Sequence, residues 1–306
     1  MLRRIFLASA GAMALAGAAN AADLQSRAPP IYLPPPPVFT WTGFYAGLNA
    51  GDTFGGSNSV DVETMSGVAL PGIQSFADAV AASATGVLSL RNSGFIGGGQ
   101  VGYNLQFANS WLVGIEADIQ GAGARSSAGA IGIVPVAGVP PTMLQAQSNI
   151  SVNNAVDYLG TVRGRLGVLV TPVLLVYGDG GFAYGGVHEG VDIASTLPPS
   201  GGGLSAAFGS FTNTRPGWTA GGGLEWMVSP NWSVKAEYLY YDLGKVTFGV
   251  GGLTQTLFPA GPALFTDLPV ASTRFDGHIV RVGLNCHFDW WNQSPVAAMA
   301  LAGAAN

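Results

Sequence analysis

Eight segments of the chain alternate, residue by residue, between an apolar set and a polar or charged set. In Val156–Leu169, for example, Val162 and Leu166 share one parity, whereas Arg163 and Arg165 have the other. Because successive side chains of a β-strand point to opposite faces, this period of two predicts strands with one apolar and one charged face. The eight predicted strands are Phe44–Ala50, Phe95–Asn104, Trp111–Gln120, Val156–Leu169, Val173–Tyr184, Gly217–Met227, Trp232–Tyr241 and Phe275–Phe288.

The connections between these strands alternate strictly between short and long. Turn dipeptides stand at Ala108-Asn109, Thr171-Pro172 and Pro230-Asn231. Long connections, which we expect to be weakly ordered loops rich in small residues, span 53–93, 123–155, 186–215 and 243–274. Such alternation is typical of membrane barrels with short periplasmic turns and long extracellular loops. The sequence therefore predicts an all-β fold, an eight-stranded antiparallel up-and-down transmembrane β-barrel, over residues 40–288.

Composition excludes several other classes of protein. Charged residues are only 9% of the 306 residues and mean hydropathy is +0.35, which does not suit a disordered tail. The best window for a membrane helix, 160–178, contains Arg163, Arg165 and Pro172, which argue against a helix in lipid. One Cys cannot form an internal disulfide, and 12 basic against 17 acidic residues leave no footprint for nucleic acid.

The N-terminal segment has the pattern of an export signal. Arg3 and Arg4 precede the apolar run Ile5–Ala18, and Ala19-Asn20-Ala21 resembles a cleavage site. This pattern predicts a secretory signal peptide at residues 1–21. Residues 22–39 are rich in Pro, which favours extended backbone, and we expect a periplasmic linker there.

Charged residues of the predicted strands fall on the parity opposite to the apolar residues. Their acidic and basic side chains are nearly equal in number. Since an eight-stranded barrel has an interior just wide enough for side chains, we expect an ionic plug that fills the lumen and is not an active site. A narrow conducting path lined by the same charges is the alternative. The predicted network comprises Glu116, Asp118, Arg163, Arg165, Asp179, Glu225, Lys235, Glu237 and Arg281.

Aromatic residues of the apolar parity cluster near the predicted strand ends, where the lipid–water interface favours Trp and Tyr. Trp111 and Trp232 each follow a short turn, Trp226 precedes one, and Phe288 ends the last strand. These residues are expected to form a periplasmic girdle. Trp218 and Tyr240 are expected in the outer girdle.

The residues needed for catalysis are scarce. The three His residues are His188, His278 and His287, and the last two are too far apart on one strand to share an ion. The sequence therefore predicts neither an enzyme, nor a metal site, nor a cofactor. Two alternatives stay open: a hydrolase using His278 with a loop Ser, and haem ligation by His188 in a loop.

Three motifs carry a family resemblance. GWTAGGGLEWMVSPNWSVKAEYLYYDLG at Gly217–Gly244 resembles the penultimate hairpin of small alphaproteobacterial outer-membrane proteins, called outer membrane immunogenic proteins or the porin family. WTGFYAGLNAG at Trp41–Gly51 is similar to their first strand, and HIVRVGLNCHF at His278–Phe288 to their last.

The resemblance implies an OmpA-like eight-stranded barrel in the bacterial outer membrane. It also implies insertion by the barrel assembly machinery, with Phe288 as the terminal assembly signal, and escort by periplasmic chaperones. The chain departs from the family at residues 289–306, an atypical C-terminal extension in which Ala298–Asn306 repeats Ala12–Asn20 letter for letter.

Three functions from different classes remain. The first is a structural role in envelope integrity, with surface-exposed loops and with outer-membrane lipid and lipopolysaccharide as partners. The second is a low-conductance porin for small solutes. The third is a loop-mediated adhesin or receptor for a host or haem ligand.

Overall fold

The computed structural model describes residues 40–55, 59–138, 144–197, 204–256 and 263–288. The predicted signal peptide, the Pro-rich linker and the C-terminal extension lie outside these ranges. Among the described residues, no helix is long and apolar enough to cross a membrane.

The described chain consists of long strands with one helix. The strands are β1 (Gly43–Phe54), β2 (Ser59–Met65), β3 (Gly86–Ser89), β4 (Gly94–Phe107), β5 (Trp111–Pro135), β6 (Gln145–Thr171), β7 (Leu174–Thr196), β8 (Ser205–Ser229), β9 (Trp232–Gly249), β10 (Leu253–Thr256) and β11 (Ala263–Phe288). The helix α1 (Gln74–Ser83) lies between β2 and β3.

Eight of the strands form a closed antiparallel ring. Their order is β1-β4-β5-β6-β7-β8-β9-β11, and β11 returns to pair with β1 from Phe44 opposite Phe288 to Phe54 opposite His278. Closure leaves no unpaired edge in the spanning part of the sheet, as lipid requires. The predicted fold class, an all-β eight-stranded up-and-down barrel, is confirmed.

The prediction of weakly ordered long loops was wrong. Most of the residues assigned to them continue the strands, so that β6 has 27 residues and β8 has 25. Outside the membrane the wall faces water, so small and polar residues are tolerated on its outer face and the alternation weakens. Gly129–Ile133 shows this, since Ile131 and Ile133 point outward while Ala130 points inward.

Residues 53–93 also contain regular structure, which closes the upper lumen. The strand β2 continues the line of β1 by pairing with β11, and β3 pairs with β2. Helix α1 buries Ala77 and Val80 beside Val136 and Leu144, near the extracellular ends of β5 and β6. The helix thus caps the barrel at its extracellular end.

The short turns occur where predicted. Ala108 and Asn109, the first two of the three residues between β4 and β5, have φ values of 47° and 63°, left-handed values that occur in tight hairpin turns. Two residues link β6 to β7 and two link β8 to β9. Because short turns lie on the periplasmic side of outer-membrane barrels, these turns mark the end that is expected to be periplasmic.

The interior consists of stacked layers. Nearest the short turns lies an apolar layer that includes Trp41, Leu112, Leu175 and Met227. The charged residues follow, and above them an apolar layer contains Leu159, Leu239, Phe275 and Ile279. A second apolar layer around Ile150, Val152 and Ile193 comes next, and the layer beneath α1 closes the stack.

Candidate functional site

The charged layer of the lumen is built by six strands. β5 contributes Glu116 and Asp118, β6 contributes Arg163 and Arg165, and β7 contributes Asp179; β8 gives Glu225, β9 gives Lys235 and Glu237, and β11 gives Arg281. All nine side chains are buried, each no more than 3% exposed. The structure therefore brings together every residue of the predicted network.

Arg163 lies at the centre of this layer. Its Nη2 lies 2.6 Å from Glu116 Oε1 and 2.8 Å from Asp118 Oδ2. Its Nη1 donates to Asp179 and lies 3.1 Å from Glu237 Oε1. One guanidinium thus contacts four carboxylates.

The other bases complete the layer. Arg281 Nη2 lies 2.8 Å from Asp118 Oδ2 and 2.5 Å from Glu237 Oε2. Lys235 Nζ donates to Glu116 Oε1 at 2.6 Å. Since every acid contacts a base, the layer keeps its charges in a buried site, where isolated ions are very costly.

Arg165 joins the layer to two Tyr residues that the sequence analysis missed. The Tyr45 hydroxyl donates to Glu116 Oε2 at 2.6 Å and accepts a hydrogen bond from Arg165 Nη1 at 2.9 Å. The Arg165 guanidinium also lies 4.0 Å from the centre of the Tyr177 ring, and Tyr177 donates to Glu237 Oε1 at 2.9 Å. Both Tyr residues have the inward parity, so the alternation contained this signal.

Uncharged polar residues fill the rest of the layer. Glu225 accepts hydrogen bonds from Arg165 at 2.7 Å, Ser233 at 2.6 Å and Asn285 at 2.8 Å. Gln100 links Asn285, at 2.5 Å, to Asn49, at 3.0 Å. The layer therefore includes side chains from all eight strands of the ring.

Trp41, also absent from the predicted set, forms the floor. Its side chain is fully buried, its Nε1 donates to the Pro172 carbonyl at 3.0 Å, and its ring meets His287 edge-on. The indole thus crosses the lumen beside the periplasmic turn of β6 and β7.

The outer face carries the aromatic residues at two levels. Trp111, Trp226, Trp232 and Phe288 lie near the short turns, each between 44% and 57% exposed. The second level contains Trp218, which precedes Trp226 by eight residues on β8. Its ring packs on that of Tyr240, with the ring centres 5.3 Å apart. At about 3.3 Å per residue and a tilt near 40°, the two levels are about 20 Å apart, close to the height of an outer-membrane apolar band.

Trp218 and Tyr240 lie within their strands and not near the strand ends, because the strands continue beyond them. His188, expected in a loop, lies on β7, and its Nδ1 is 2.6 Å from Thr212 Oγ1. His278 Nδ1 is 2.6 Å from the Tyr238 hydroxyl. Among the described residues, no group of three or more His, Cys, Asp or Glu could hold a metal ion.

Comparisons with known proteins agree with this architecture. The outer membrane protein beta-barrel domain family matches residues 7–288. A 31 kDa outer-membrane immunogenic protein of Brucella melitensis biotype 1 is 33% identical over 294 residues, which cover 94% of this chain and 100% of that protein.

Two further similarities are more distant. A 22 kDa outer membrane protein of Rhizobium leguminosarum bv. viciae is 29% identical over 50% of this chain and 59% of its own length. The crystal structure of OprG from Pseudomonas aeruginosa shares 12% identity and a TM-score of 0.39, over 82% of this chain and 99% of that one. With the closed ring, the family match leads to one conclusion: the chain belongs to the outer membrane protein β-barrel domain family and is a bacterial outer-membrane protein.

Proposed function

We propose that this protein is a closed, non-conducting barrel that supports the integrity of the outer membrane and displays an extended extracellular wall. The paired charged layer carries this proposal. Arg163, Arg281 and Lys235 fill the lumen with four acidic partners, and Arg165 pairs with Glu225. Every carboxylate of the layer therefore contacts a base, which weakens its attraction for a permeating ion. The apolar layers above and below add further barriers.

Planar bilayer recording tests the closed lumen. We expect no discrete conductance steps from the folded protein, whereas a large general porin added to the same bilayer gives them. Reproducible steps from the wild-type barrel would reject this function and favour the low-conductance porin.

A genetic experiment tests the envelope role. Deletion of the gene should raise sensitivity to detergent and to large antibiotics, and the wild-type gene should restore resistance. A deletion strain as resistant as its parent would contradict the structural role.

A second function, binding of a partner at the cell surface, is supported by apolar side chains on the outer wall beyond Trp218. Phe208 and Leu204 are each 71% exposed, and Ile131 is 64% exposed. The word immunogenic in the name of the Brucella relative fits a surface that antibodies reach. Binding to immobilised host matrix proteins should fall for Phe208→Ser but not for Thr212→Ser on the same strand; equal binding would reject this function.

The proposed partners in biogenesis are the barrel assembly machinery and periplasmic chaperones, with Phe288 as the assembly signal. Phe288 lies opposite Phe44 in the strand pair that closes the ring, at the C-terminal end of β11. A direct contact with the machinery at this residue predicts a site-specific crosslink from position 288 during assembly. Absence of that crosslink, with crosslinks from other positions of β11, would reject the role.

A further inference from the structure

The basic residues outside the lumen are placed unevenly. The described part of the chain holds five of them, and all lie beyond the outer aromatic level, on the extracellular side: Arg91, Arg125, Arg215, Lys245 and Arg274. None lies on the lipid-facing band between the two aromatic levels in that part of the chain. Basic side chains just beyond the outer aromatic level are well placed to meet the phosphates of outer-leaflet headgroups.

The side chain of Arg125, like those of Arg91 and Lys245, forms no hydrogen bond or ion pair with another described residue. By contrast, Arg274 is paired with Asp242, and Arg215 donates to the Lys245 carbonyl at 3.3 Å. A guanidinium is always charged and presents a planar fork that matches phosphate. Arg125 is therefore available for an anionic ligand.

Arg125 borders a cleft of about 480 Å³ on the outer face of β5, β6 and β7. Ala155 lies directly between Arg125 and His188 in the ladder. Because its side chain is small, it leaves space at the bottom of the cleft. The remaining walls include Ser127, Asn153 and Asp157. A carboxylate, an amide and a hydroxyl beside a guanidinium provide hydrogen-bonding groups for sugar hydroxyls together with a phosphate-binding group.

An apolar groove of about 470 Å³ lies below this cleft on the lipid-facing wall. Ala117 and Ile119 of β5 and Val162 of β6 line it on the same two strands, nearer the periplasm than the cleft residues. Tyr184 forms its upper end, because its ring lies over Gly160, where an added Cβ would come within 2.3 Å of it. Gly99 has no side chain to fill the bottom of the groove, and no atom lies closer than 3.9 Å to a Cβ added there.

We propose that the cleft and the groove together bind one phosphorylated glycolipid of the outer leaflet. The phosphate pairs with Arg125, the sugar hydroxyls meet Asn153 and Asp157, and an acyl chain lies in the groove below Tyr184. This inference goes beyond the closed-barrel function, and it holds whether or not the lumen conducts.

Native mass spectrometry of the folded full-length chain in neutral detergent tests the inference. The probes are bis-phosphorylated lipid A, the same lipid without phosphates, and phosphatidylglycerol. We expect one tightly bound lipid A, with about tenfold weaker binding of either other lipid, because the site needs both sugar and phosphate. Equal binding of phosphatidylglycerol and lipid A would overturn the proposal in favour of a general anionic surface.

Matched variants locate the site. Arg125→Gln should weaken lipid A binding about tenfold, whereas Lys245→Gln, which removes one exposed base elsewhere on the wall, should not change it. Gly99→Leu should fill the groove and weaken binding, whereas Gly164→Leu, also on the lipid-facing parity but outside the groove, should not. A heat-shift gel verifies that each variant is folded, and equal binding by Arg125→Gln and Lys245→Gln would overturn the assignment.

Discussion

The Arg163 guanidinium lies 2.6 Å from the Glu116 carboxylate, and the two residues also face each other directly in the ladder of β5 and β6. Cross-strand neighbours have Cβ atoms only about 5 Å apart, so alignment of the two strands is enough to form this pair. The same guanidinium then reaches Asp118, Asp179 and Glu237. The pair thus connects strand register to the charged layer of the lumen.

Loss of Arg163 should destabilise the barrel strongly. Arg163→Met leaves four buried carboxylates without this partner, and removal of one member of a buried ionic network costs about 3–5 kcal/mol. The urea midpoint of the protein in lipid vesicles should fall accordingly. The control is Arg274→Gln, whose side chain is 53% exposed and whose pair with Asp242 is expected to contribute little, because solvent screens it. Similar midpoints for both variants would contradict the central role of Arg163.

The stability of the extracellular half should depend on pH through Glu189. This side chain is buried above the membrane-spanning part, where Asn154 Nδ2 donates to it at 3.1 Å, and burial raises its pKa to about 7. Between the ordinary value of 4.5 and about 7, the folded protein binds more protons than the unfolded chain. The free energy of unfolding therefore falls as pH rises across this window and levels off above it.

Glu189→Gln should remove most of this pH dependence and stabilise the protein at pH 8 by roughly 2–3 kcal/mol. Urea midpoints at pH 5 and pH 8 measure the effect. Burial also raises the pKa of Asp267 to about 6, so a smaller dependence of the same sign should remain. The control Glu63→Gln removes an exposed carboxylate and should leave the profile unchanged; an unaltered profile for Glu189→Gln would reject the assignment.

Gly181 should be essential for the curvature of the wall. An added Cβ there would lie 2.2 Å from the Val162 carbonyl oxygen, which is backbone and cannot move aside. At Gly164 the nearest atom is 4.0 Å away. Gly181→Ala should therefore refold poorly, and Gly164→Ala should refold as the wild type does, as the band shift between unboiled and boiled samples will measure. Equal yields would show that the wall relaxes around the methyl group.

Phe288 and Phe44 offer a matched test of the assembly signal, because they lie opposite each other in the closing strand pair. Each Ala variant loses packing on the same outer surface, where Phe288 is 48% and Phe44 58% exposed. Only Phe288→Ala should slow insertion in cells, since the expected signal is in the last strand. Equal slowing of both variants would indicate a packing effect alone.

The alternation within single segments was enough to predict the ring and the side of the wall on which each charge lies. Inside the membrane one face must suit lipid and the other must satisfy polar groups, so the period of two is strong there. The missed residues show the limit of the pattern. Tyr45 and Tyr177 had the inward parity, but only their contacts with Glu116 and Glu237 reveal that they belong to the charged layer.

The sequence by itself determined the strands across the membrane, their short turns and the inward parity of the nine charges, because these depend on neighbouring residues and on the solvent that each face meets. The tertiary structure decided how far the strands continue, since beyond Trp218 the inner face packs on apolar layers and the outer face meets water. It also decided the bulge between Val156 and Tyr158, after which the inward parity changes from Val156 to Leu159. Pairings such as Arg163 with Asp179, and the closing of the lumen by Trp41 and α1, join distant segments and therefore arise only when the ring closes.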